Sequence, residues 1–214
     1  MPCTCNALGC AEMFGDRIAR KEATRFRRRG LEPRSRRLLD ALAARVALPG
    51  KTAVEVGAGV GGLTISLLEQ GIAHATIIDA SPAYVQTARA IAAERGLEGA
   101  LTATIGNYAE DEPGAGADIV VMDRVVCCYP SWRGLLDRAT AQAGAAIALA
   151  WPRDTGYTRI GIALINLLMR LRRSPFRVFV HPPQMMQAFM ESRGFMPEVV
   201  GRTPVWELVV ARRA

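Results

Sequence analysis

The chain has 214 residues, 50% of them hydrophobic, and a formal net charge of +7. This length supports one α/β domain with a full hydrophobic core and additions, and it argues against a multidomain protein. The positive charge is concentrated, with ten Lys and Arg against two Glu between residues 17 and 37. A nucleic-acid binder spreads its basic charge more widely, so we expect no nucleic-acid partner.

The elements predicted first are two helices, over residues 11–29 and 33–46. The second helix begins at Pro33 and places Leu38, Leu39 and Leu42 on one face. Together they predict a basic helical cap, with Cys residues at its start, over residues 1–48. One interpretation of its arginines is a solvated helix face. The other is that the guanidinium groups of Arg27, Arg28 and Arg29 bind an anionic substrate through paired hydrogen bonds.

Strands and helices then alternate. Strands are predicted at residues 52–56, 74–78, 101–105, 118–122 and 145–151, and helices at 61–70, 81–96 and 131–143. Two further apolar runs, after Gly194 and from Val205, predict a terminal hairpin. The fold class is therefore α/β, a Rossmann-like doubly wound sheet, mostly parallel, with an antiparallel C-terminal edge hairpin and an N-terminal helical cap. Residues 49–214 form the cofactor-binding domain, in one structural unit with the cap.

A glycine-rich turn follows the first strand. Gly57, Gly59 and Gly62 fit the dinucleotide pattern G-x-G-x-x-G, while Glu55 with Gly57, Gly59 and Gly61 fits the acid-x-G-x-G-x-G pattern of S-adenosylmethionine (SAM) methyltransferases. A charged residue inside a packed strand is unexpected unless it meets a cation, so Glu55 favours SAM, with its methionine amino group. Asp79 closes the second strand, where a carboxylate accepts hydrogen bonds from a ribose diol.

The ligand of such a sheet lies beyond the carboxyl ends of its strands. There, an amide at Asn107 would read the adenine, Tyr108 would border it, and Asp123 would orient the amino end of the cofactor. The predicted cofactor-binding residues are Glu55, Gly57, Ala58, Gly59, Asp79, Ala80, Asn107, Tyr108 and Asp123.

These residues carry a family resemblance. The framework of residues 54–62, Asp79, residues 106–108 and the terminal hairpin resembles the class I SAM-dependent methyltransferases, over about residues 50–211. Methyltransferases commonly carry Asp at the position of Asn107. A narrower likeness rests on the N-terminal cysteines and on residues 27–31, 123–130 and 176–183. It links the chain to short bacterial methyltransferases that are loosely similar to magnesium-protoporphyrin O-methyltransferase. The resemblance implies methyl transfer from SAM to a small molecule.

His181 and Tyr129 are the candidate catalytic residues. His181 is one of two histidines and precedes a helix start near the expected substrate, where a base would act if the acceptor is protonated. The alternative for His181 is a capping or surface role, and for Tyr129 a place in the core. Tyr129 would border the transferred methyl group or hydrogen-bond the substrate.

The cysteines form two groups. Cys3, Cys5 and Cys10 have no recognised zinc-finger spacing, so a metal site there is a weak alternative to a mobile tail. Cys127 and Cys128 lie in the expected active-site loop. The two groups would converge if the N-terminal segment folds over the site.

Residues 157–173 are apolar on nearly all sides, which is typical of a buried helix. We expect a helical lid at residues 155–173 over an apolar substrate, or a dimer surface. Peripheral membrane contact through Arg170, Arg172 and Arg173 ranks third. No segment has the apolar run of a signal peptide, and the stretch at 160–171 is too short to span a bilayer. We therefore expect a cytoplasmic protein of unknown oligomeric state.

The sequence favours a SAM-dependent methyltransferase acting on a small, anionic, partly apolar molecule. O-methylation is the first choice, and a porphyrin carboxylate is one such acceptor. Two alternatives stay open, an NAD(P)-dependent oxidoreductase and a metal- or SAM-responsive binding module without turnover. The loop at residues 123–130 lacks the D/N-P-P-Y/F motif of many nucleic-acid methyltransferases.

Overall fold

A single twisted sheet organises the molecule. The computed structural model describes residues 4–111 and 114–214, and within them the sheet has seven strands in the order β3-β2-β1-β4-β5-β7-β6. The strands are β1 Thr52–Val56, β2 His74–Asp79, β3 Leu101–Ile105, β4 Ala117–Asp123, β5 Ala143–Pro152, β6 Phe195–Arg202 and β7 Trp206–Arg213. The first five strands are parallel to one another, β7 is antiparallel to β5, and β6 is antiparallel to β7. The predicted fold class is confirmed.

Helices cover both faces of this sheet, and residues of the N-terminal helices also reach the carboxyl ends of its strands. Their bounds are α1 Thr4–Met13, α2 Asp16–Arg29, α3 Pro33–Ala43, α4 Gly62–Glu69, α5 Pro82–Glu94, α6 Trp132–Gln142, α7 Gly156–Leu171 and α8 Pro183–Ser192. The predicted first helix, over residues 11–29, is wrong in two respects. The structure has two helices here, because Gly15 has extended backbone angles and caps the start of α2, and α1 begins at Thr4 rather than at residue 11. The second predicted helix ends at Ala43 rather than at residue 46.

Strand β4 shows how the core is divided. Successive side chains of a strand point to opposite faces, so Ile119 and Val121 join the core layer beneath α3 and α4. Val120 and Met122 join the layer beneath α6 and α8. All four side chains are fully buried, as expected of a central parallel strand covered on both faces.

The N-terminal helices are joined to the sheet by apolar and ionic contacts. Leu38, Leu39 and Leu42 of α3 are buried in one core layer, as the helical spacing predicts. Just after α3, the Arg45 guanidinium donates to both carboxylate oxygens of Glu198 in β6, at 2.5 and 2.8 Å. The start of the chain is thus tied to its last hairpin.

Helix α7 differs most from expectation. The apolar character of its sequence predicts a buried helix, but Ile160, Leu164 and Leu171 are 64%, 61% and 74% exposed. Only Thr158 and Met169 of this helix are buried, because α7 contacts the domain along one narrow side. Within the described ranges, no helix combines the length and apolarity needed to cross a bilayer.

Candidate cofactor and substrate site

A cavity of about 410 Å³ lies at the carboxyl ends of β1, β2 and β4. It sits where the strand order reverses between β1 and β4, which is the usual ligand position in such sheets. The sheet supplies its floor and α2, α3 and α7 supply much of its wall. The predicted residues that line it are Glu55, Gly57, Ala58, Gly59, Asp79, Ala80, Asp123 and Tyr129.

The turn after β1 presents backbone to this cavity. Gly59 and Gly61 have φ angles of 58° and 75°, in the left-handed region that side chains disfavour. A Cβ at Gly59 would have no atom nearer than Glu22 Oε2, at 3.8 Å, whereas a Cβ at Gly61 would lie 2.9 Å from the Cβ of Ala88. Gly59 therefore keeps cavity space open, and Gly61 permits close packing of α4 on α5.

Asp79 fixes the shape of the turn. Its Oδ2 accepts a hydrogen bond from the Gly59 amide at 2.9 Å, and its Oδ1 accepts one from the Ser81 amide at 2.8 Å. Burial raises the pKa of Asp79 to about 6, although both amides favour the ionised form. Each oxygen retains a lone pair, so the carboxylate is oriented to accept from a ligand hydroxyl.

Glu55 lies at the bottom of the cavity and braces α4. Its Oε2 accepts from the Thr64 amide at 2.9 Å and from the Thr64 hydroxyl. Burial raises the pKa of this carboxyl to about 7, against the effect of the two bonds from Thr64. The charged residue that the sequence assigns to a cofactor amine thus also anchors the first turn of the following helix.

Asn107 and Tyr108 are not among the residues that line the cavity. The Tyr108 side chain lies in the core, 1% exposed, and its hydroxyl donates to Gln142 Oε1 at 2.7 Å. The Asn107 side chain accepts from the Ala109 amide at 3.3 Å and closes a turn. The prediction that they border adenine is not supported by this placement, because the chain turns at Gly106, which alone of the three residues reaches the cavity wall.

Asp123 ends β4 and is held by α3. The Arg34 guanidinium forms an ion pair with Asp123 Oδ1, and the Ser35 hydroxyl donates to Oδ2 at 2.6 Å. The Arg34 guanidinium also lies over the Trp206 ring, 5.6 Å from its centroid. Burial lowers the pKa of Arg34 to about 10, so the guanidinium stays protonated at neutral pH. Asp123 therefore faces the cavity with its charge already paired.

The loop after β4 supplies the wall opposite the glycine turn. Arg124 has a φ of 65°, a left-handed conformation that a non-glycine residue adopts at a cost. Its side chain is exposed and lines the cavity together with Cys127, Cys128 and Tyr129. Burial raises the pKa of the Tyr129 phenol, so Tyr129 remains a protonated hydrogen-bond donor.

His181 lies behind this loop rather than in the cavity. Its Nε2 is 2.9 Å from the Tyr129 carbonyl oxygen, and since a carbonyl only accepts, Nε2 carries the proton. The ring is buried and stacks on Phe179 at 5.9 Å, and burial lowers its pKa. The expectation of a base beside the substrate does not match this position, because a neutral, buried imidazole is already committed to the loop backbone.

The two cysteine groups do converge. Cys10 of α1 and Cys128 line the cavity, and the Sγ atoms of Cys127 and Cys128 are 4.0 Å apart. The neighbouring Cys128 thiol and burial raise the pKa of the Cys10 thiol. For the predicted metal site, Cys3 and the side chain of Cys5 lie outside the described residues. Among the residues that are described, no group of three or more His, Cys, Asp or Glu is arranged to hold a metal.

Sequence reasoning missed much of the cavity wall. Phe14 stacks on Tyr84 at 5.6 Å and meets the edge of Phe176 at 5.7 Å. Arg25 of α2 lines the cavity, whereas Arg27, Arg28 and Arg29 are exposed, and Arg27 is paired with Glu94. Those three arginines do not line the cavity, because they lie at the end of α2 on its solvent-exposed side. Their role in binding an anionic substrate stays a prediction, beside the alternative of a solvated helix face. The hydrophobic residues flanking the helix break at Gly15 were the sequence signal that could have predicted this part of the cavity wall.

Comparison with known proteins agrees with this geometry. Residues 54–143 match a family model described as a methyltransferase domain. A search of curated proteins found no match. Many solved structures share the fold.

Magnesium protoporphyrin IX methyltransferase (ChlM) from Synechocystis PCC 6803, with bound SAH, superposes with a TM-score of 0.68 and 22% identity, over 85% of this chain and 82% of that chain. An O-methyltransferase family protein from Burkholderia thailandensis superposes with a TM-score of 0.69 and 16% identity, over 92% of this chain and 60% of that chain. An O-methyltransferase family 2 protein from Planctomyces limnophilus DSM 3776, in complex with apigenin, superposes with a TM-score of 0.66 and 18% identity, over 92% of this chain and 62% of that chain. The predicted likeness to SAM-dependent methyltransferases, including the magnesium-protoporphyrin enzyme, is confirmed at the level of fold.

Proposed function

We propose that this chain, which carries a methyltransferase domain over residues 54–143, is an enzyme that transfers a methyl group from SAM to a small, anionic and partly apolar molecule. The observation that carries the proposal is the Asp79 carboxylate fixed by the Gly59 amide at 2.9 Å, on the wall of a cavity at the strand-order reversal. An adenosine cofactor needs this combination of an oriented acid and close backbone.

The residues present fit SAM. Asp79 would accept from the ribose diol, and Gly57, Ala58 and Gly59 would let the ligand lie against backbone, since a Cβ at Gly59 would project toward cavity-lining atoms. Asp123 would orient the amino end of the cofactor, with Glu55 below it. When bound, SAM supplies an electrophilic methyl group. We keep Asn107 and Tyr108 as flanking residues that shape the turn at Gly106.

The remaining wall indicates the substrate class. Arg124 brings a cationic group to the cavity, and so does Arg25, which is ion-paired with Glu32. A guanidinium group suits carboxylate or phosphate oxygens. Ile162, Ile165 and Phe176 bring apolar surface to the same space. A molecule with an anionic group and an apolar body satisfies both parts of the wall. ChlM acts on a magnesium porphyrin by its name, and a porphyrin carboxylate is one such acceptor.

The acceptor that the site suits best is an oxygen. Among the described residues lining the cavity there is no histidine or lysine, and a carboxylate acceptor is already ionised, so it requires no base. Tyr129 would donate a hydrogen bond that orients the acceptor, and His181 would hold the Tyr129 backbone in place. Positioning of this kind supplies a large part of a barrier reduction, since effective molarities reach about 10⁵ M or more.

Calorimetric titration with S-adenosylhomocysteine (SAH), and separately with NADH, tests the cofactor. We expect micromolar binding of SAH that is lost in Asp79→Ala, and no binding of NADH. The matched control is Asp118→Ala, which removes a carboxylate at the opposite end of the sheet, bonded to Thr52. NADH binding in place of SAH binding would favour the oxidoreductase alternative. SAH binding without methyl transfer to any carboxylate or hydroxyl in a substrate screen would favour a binding module.

A further inference from the structure

Helix α7 presents a continuous apolar stripe to solvent. Its residues recur at alternating spacings of three and four, and they are Tyr157, Ile160, Leu164, Leu167 and Leu171, with exposures of 54%, 64%, 61%, 51% and 74%. Leu168, at 42%, widens the stripe. This α7 stripe is opposite the side that contacts the domain, where Met169 is buried and the Asn166 side chain bonds the Val178 backbone. Apolar side chains thus lie on the domain side of α7 and also on its solvent side.

Cations border the α7 stripe. Arg159 and Arg170 lie beside it on the helix, and Arg172 and Arg173 follow its last residue, all of them exposed. The acid near this segment, Asp154, is ion-paired with Arg159 through both carboxylate oxygens. An apolar helical surface with a basic border is the pattern of a helix that lies in a membrane interface.

The α7 stripe adjoins the mouth of the cavity. Ile165 of α7, 45% exposed, and Val205 in the β6–β7 turn, 40% exposed, both line the cavity. The Tyr157 hydroxyl donates to the Pro204 carbonyl oxygen, which joins α7 to that turn. The exposed apolar surface therefore continues from the helix across the turn to the cavity wall.

We propose that the α7 stripe docks on an anionic lipid bilayer, with its apolar side chains among the acyl chains and its arginines among the headgroups. A second copy of the chain is the other candidate occupant, since the three-and-four spacing also suits a helix pair. Self-pairing would bring the arginines of two copies together across a narrow contact, whereas anionic headgroups neutralise them. The charge on the border therefore selects the bilayer. This inference is independent of the methyl-transfer proposal.

Vesicle co-sedimentation of the full-length chain tests the proposal. We expect binding to vesicles of phosphatidylglycerol and phosphatidylcholine in about 0.1 M salt, where charge interactions reach about 10 Å, and much weaker binding to pure phosphatidylcholine. The double variant Leu164→Gln/Leu171→Gln should weaken binding at least about tenfold by removing inserted apolar surface. The matched control Met185→Gln/Met196→Gln, at exposed apolar sites outside α7, should bind as the parent chain does.

Vesicle binding could also arise from non-specific attraction between a basic protein and anionic lipid, and a second variant separates that outcome from the proposal. The variant Arg28→Gln/Arg29→Gln removes exposed charge from α2, and we expect it to bind within about threefold of the parent chain. If this variant loses binding while Leu164→Gln/Leu171→Gln keeps it, the proposal is overturned. A lipid-free dimer in analytical ultracentrifugation that Leu164→Gln/Leu171→Gln converts to a monomer would also overturn it. Circular dichroism spectra equal to those of the parent chain confirm that each variant is folded, and SAH binding tests the methyltransferase proposal separately.

Discussion

Arg34 of α3 and Asp123 at the end of β4 form an ion pair at the cavity wall, with side chains 9% and 10% exposed. Ser35, the next residue of α3, donates to the second oxygen of the same carboxylate at 2.6 Å. Two consecutive residues of the N-terminal segment thus neutralise and orient a carboxylate that faces the ligand space. The wall of the site and the packing of α3 depend on the same interaction.

Removing one partner of this pair should be costly. Arg34→Met leaves Asp123 buried without its cation, and we expect the free energy of unfolding to fall by about 3 kcal/mol. The double variant Arg34→Met/Asp123→Leu should recover most of that loss, because neither charge remains. Denaturant unfolding of both variants measures the difference. Equal losses in the single and double variants would contradict the ion-pair account.

Cofactor affinity should depend on the ionisation of Asp79. Because burial raises the pKa of this carboxyl to about 6, it is ionised at pH 7.5 and largely protonated at pH 5. A ribose diol donates to the ionised form, so the affinity for SAH should fall about tenfold between these pH values. Calorimetry at both pH values checks this. Asp79→Asn should bind weakly, with a smaller pH dependence than the parent chain.

Glu55 should make the protein less stable as the pH rises. Its folded-state pKa is raised from 4.5 to about 7 by burial, so the stabilising form is the protonated one. Its contribution is full below about pH 4.5 and is lost as the pH rises through 7, a change of about 3 kcal/mol. Glu55→Gln keeps an acceptor for Thr64 without the titration. The stability of this variant relative to the parent chain should therefore increase from pH 4.5 to pH 8, and a constant difference would contradict the assignment.

The two glycines of the turn should separate binding from stability. Gly61→Ala combines a left-handed φ with a contact of 2.9 Å to Ala88, and we expect a loss of about 3 kcal/mol in unfolding free energy. Gly59→Ala has the same backbone cost but no close atoms, so it should lose only about 1 kcal/mol. Its methyl group would enter the cavity and reduce SAH affinity at least about tenfold. Thermal unfolding and calorimetry on both variants make the comparison.

His181 should act through position and not as a base. His181→Gln retains an N–H donor for the Tyr129 carbonyl, and we expect kcat for methyl transfer within about threefold of that of the parent chain, whereas loss of a general base costs about 10² to 10⁴. His181→Ala should lower the unfolding free energy by about 1 to 2 kcal/mol by leaving that carbonyl without its buried donor. Rates with a substrate found in the screen decide the matter. A loss of about 10³ in the kcat of His181→Gln would instead support the role of His181 as a catalytic base.

The central strands were predictable because β1, β4 and β5 are buried apolar runs bounded by glycine, proline or a polar turn. Strands β1 and β3 begin and end at the predicted residues, and β5 is longer than predicted only at its ends. The exposure of α7 was not predictable from its composition. An apolar helix is buried only where the domain supplies a surface that covers it, and the sequence does not say whether such a surface exists. The exposure of Leu164 and Leu171 is a property of tertiary packing.

The residues of the candidate site also fall into two groups, those that local sequence patterns predict and those that only tertiary packing brings together. Asp79 and the glycines were found because their spacing within one strand-turn-helix unit determines their geometry. The Arg34–Asp123 pair joins residues 89 positions apart, and the contact of His181 with Tyr129 spans 52. Local patterns carry no information about such pairs. The placement of Tyr108 in the core was missed because the turn after Gly106 reverses which side chains face the ligand space.

The ties between the N-terminal segment and the last hairpin affect the order in which the molecule forms during synthesis. Arg45 is bonded to Glu198, 153 positions later, and Arg34 lies over Trp206. A nascent chain emerging from the ribosome makes α3 early, yet these partners of α3 and Arg45 in the last hairpin emerge last. The glycine turn and Asp79 become available midway, with an incomplete wall above them. Long-range pairing of this kind is slow and exposes apolar surface in the interval, so the nascent chain would acquire its finished ligand site only when translation is nearly complete.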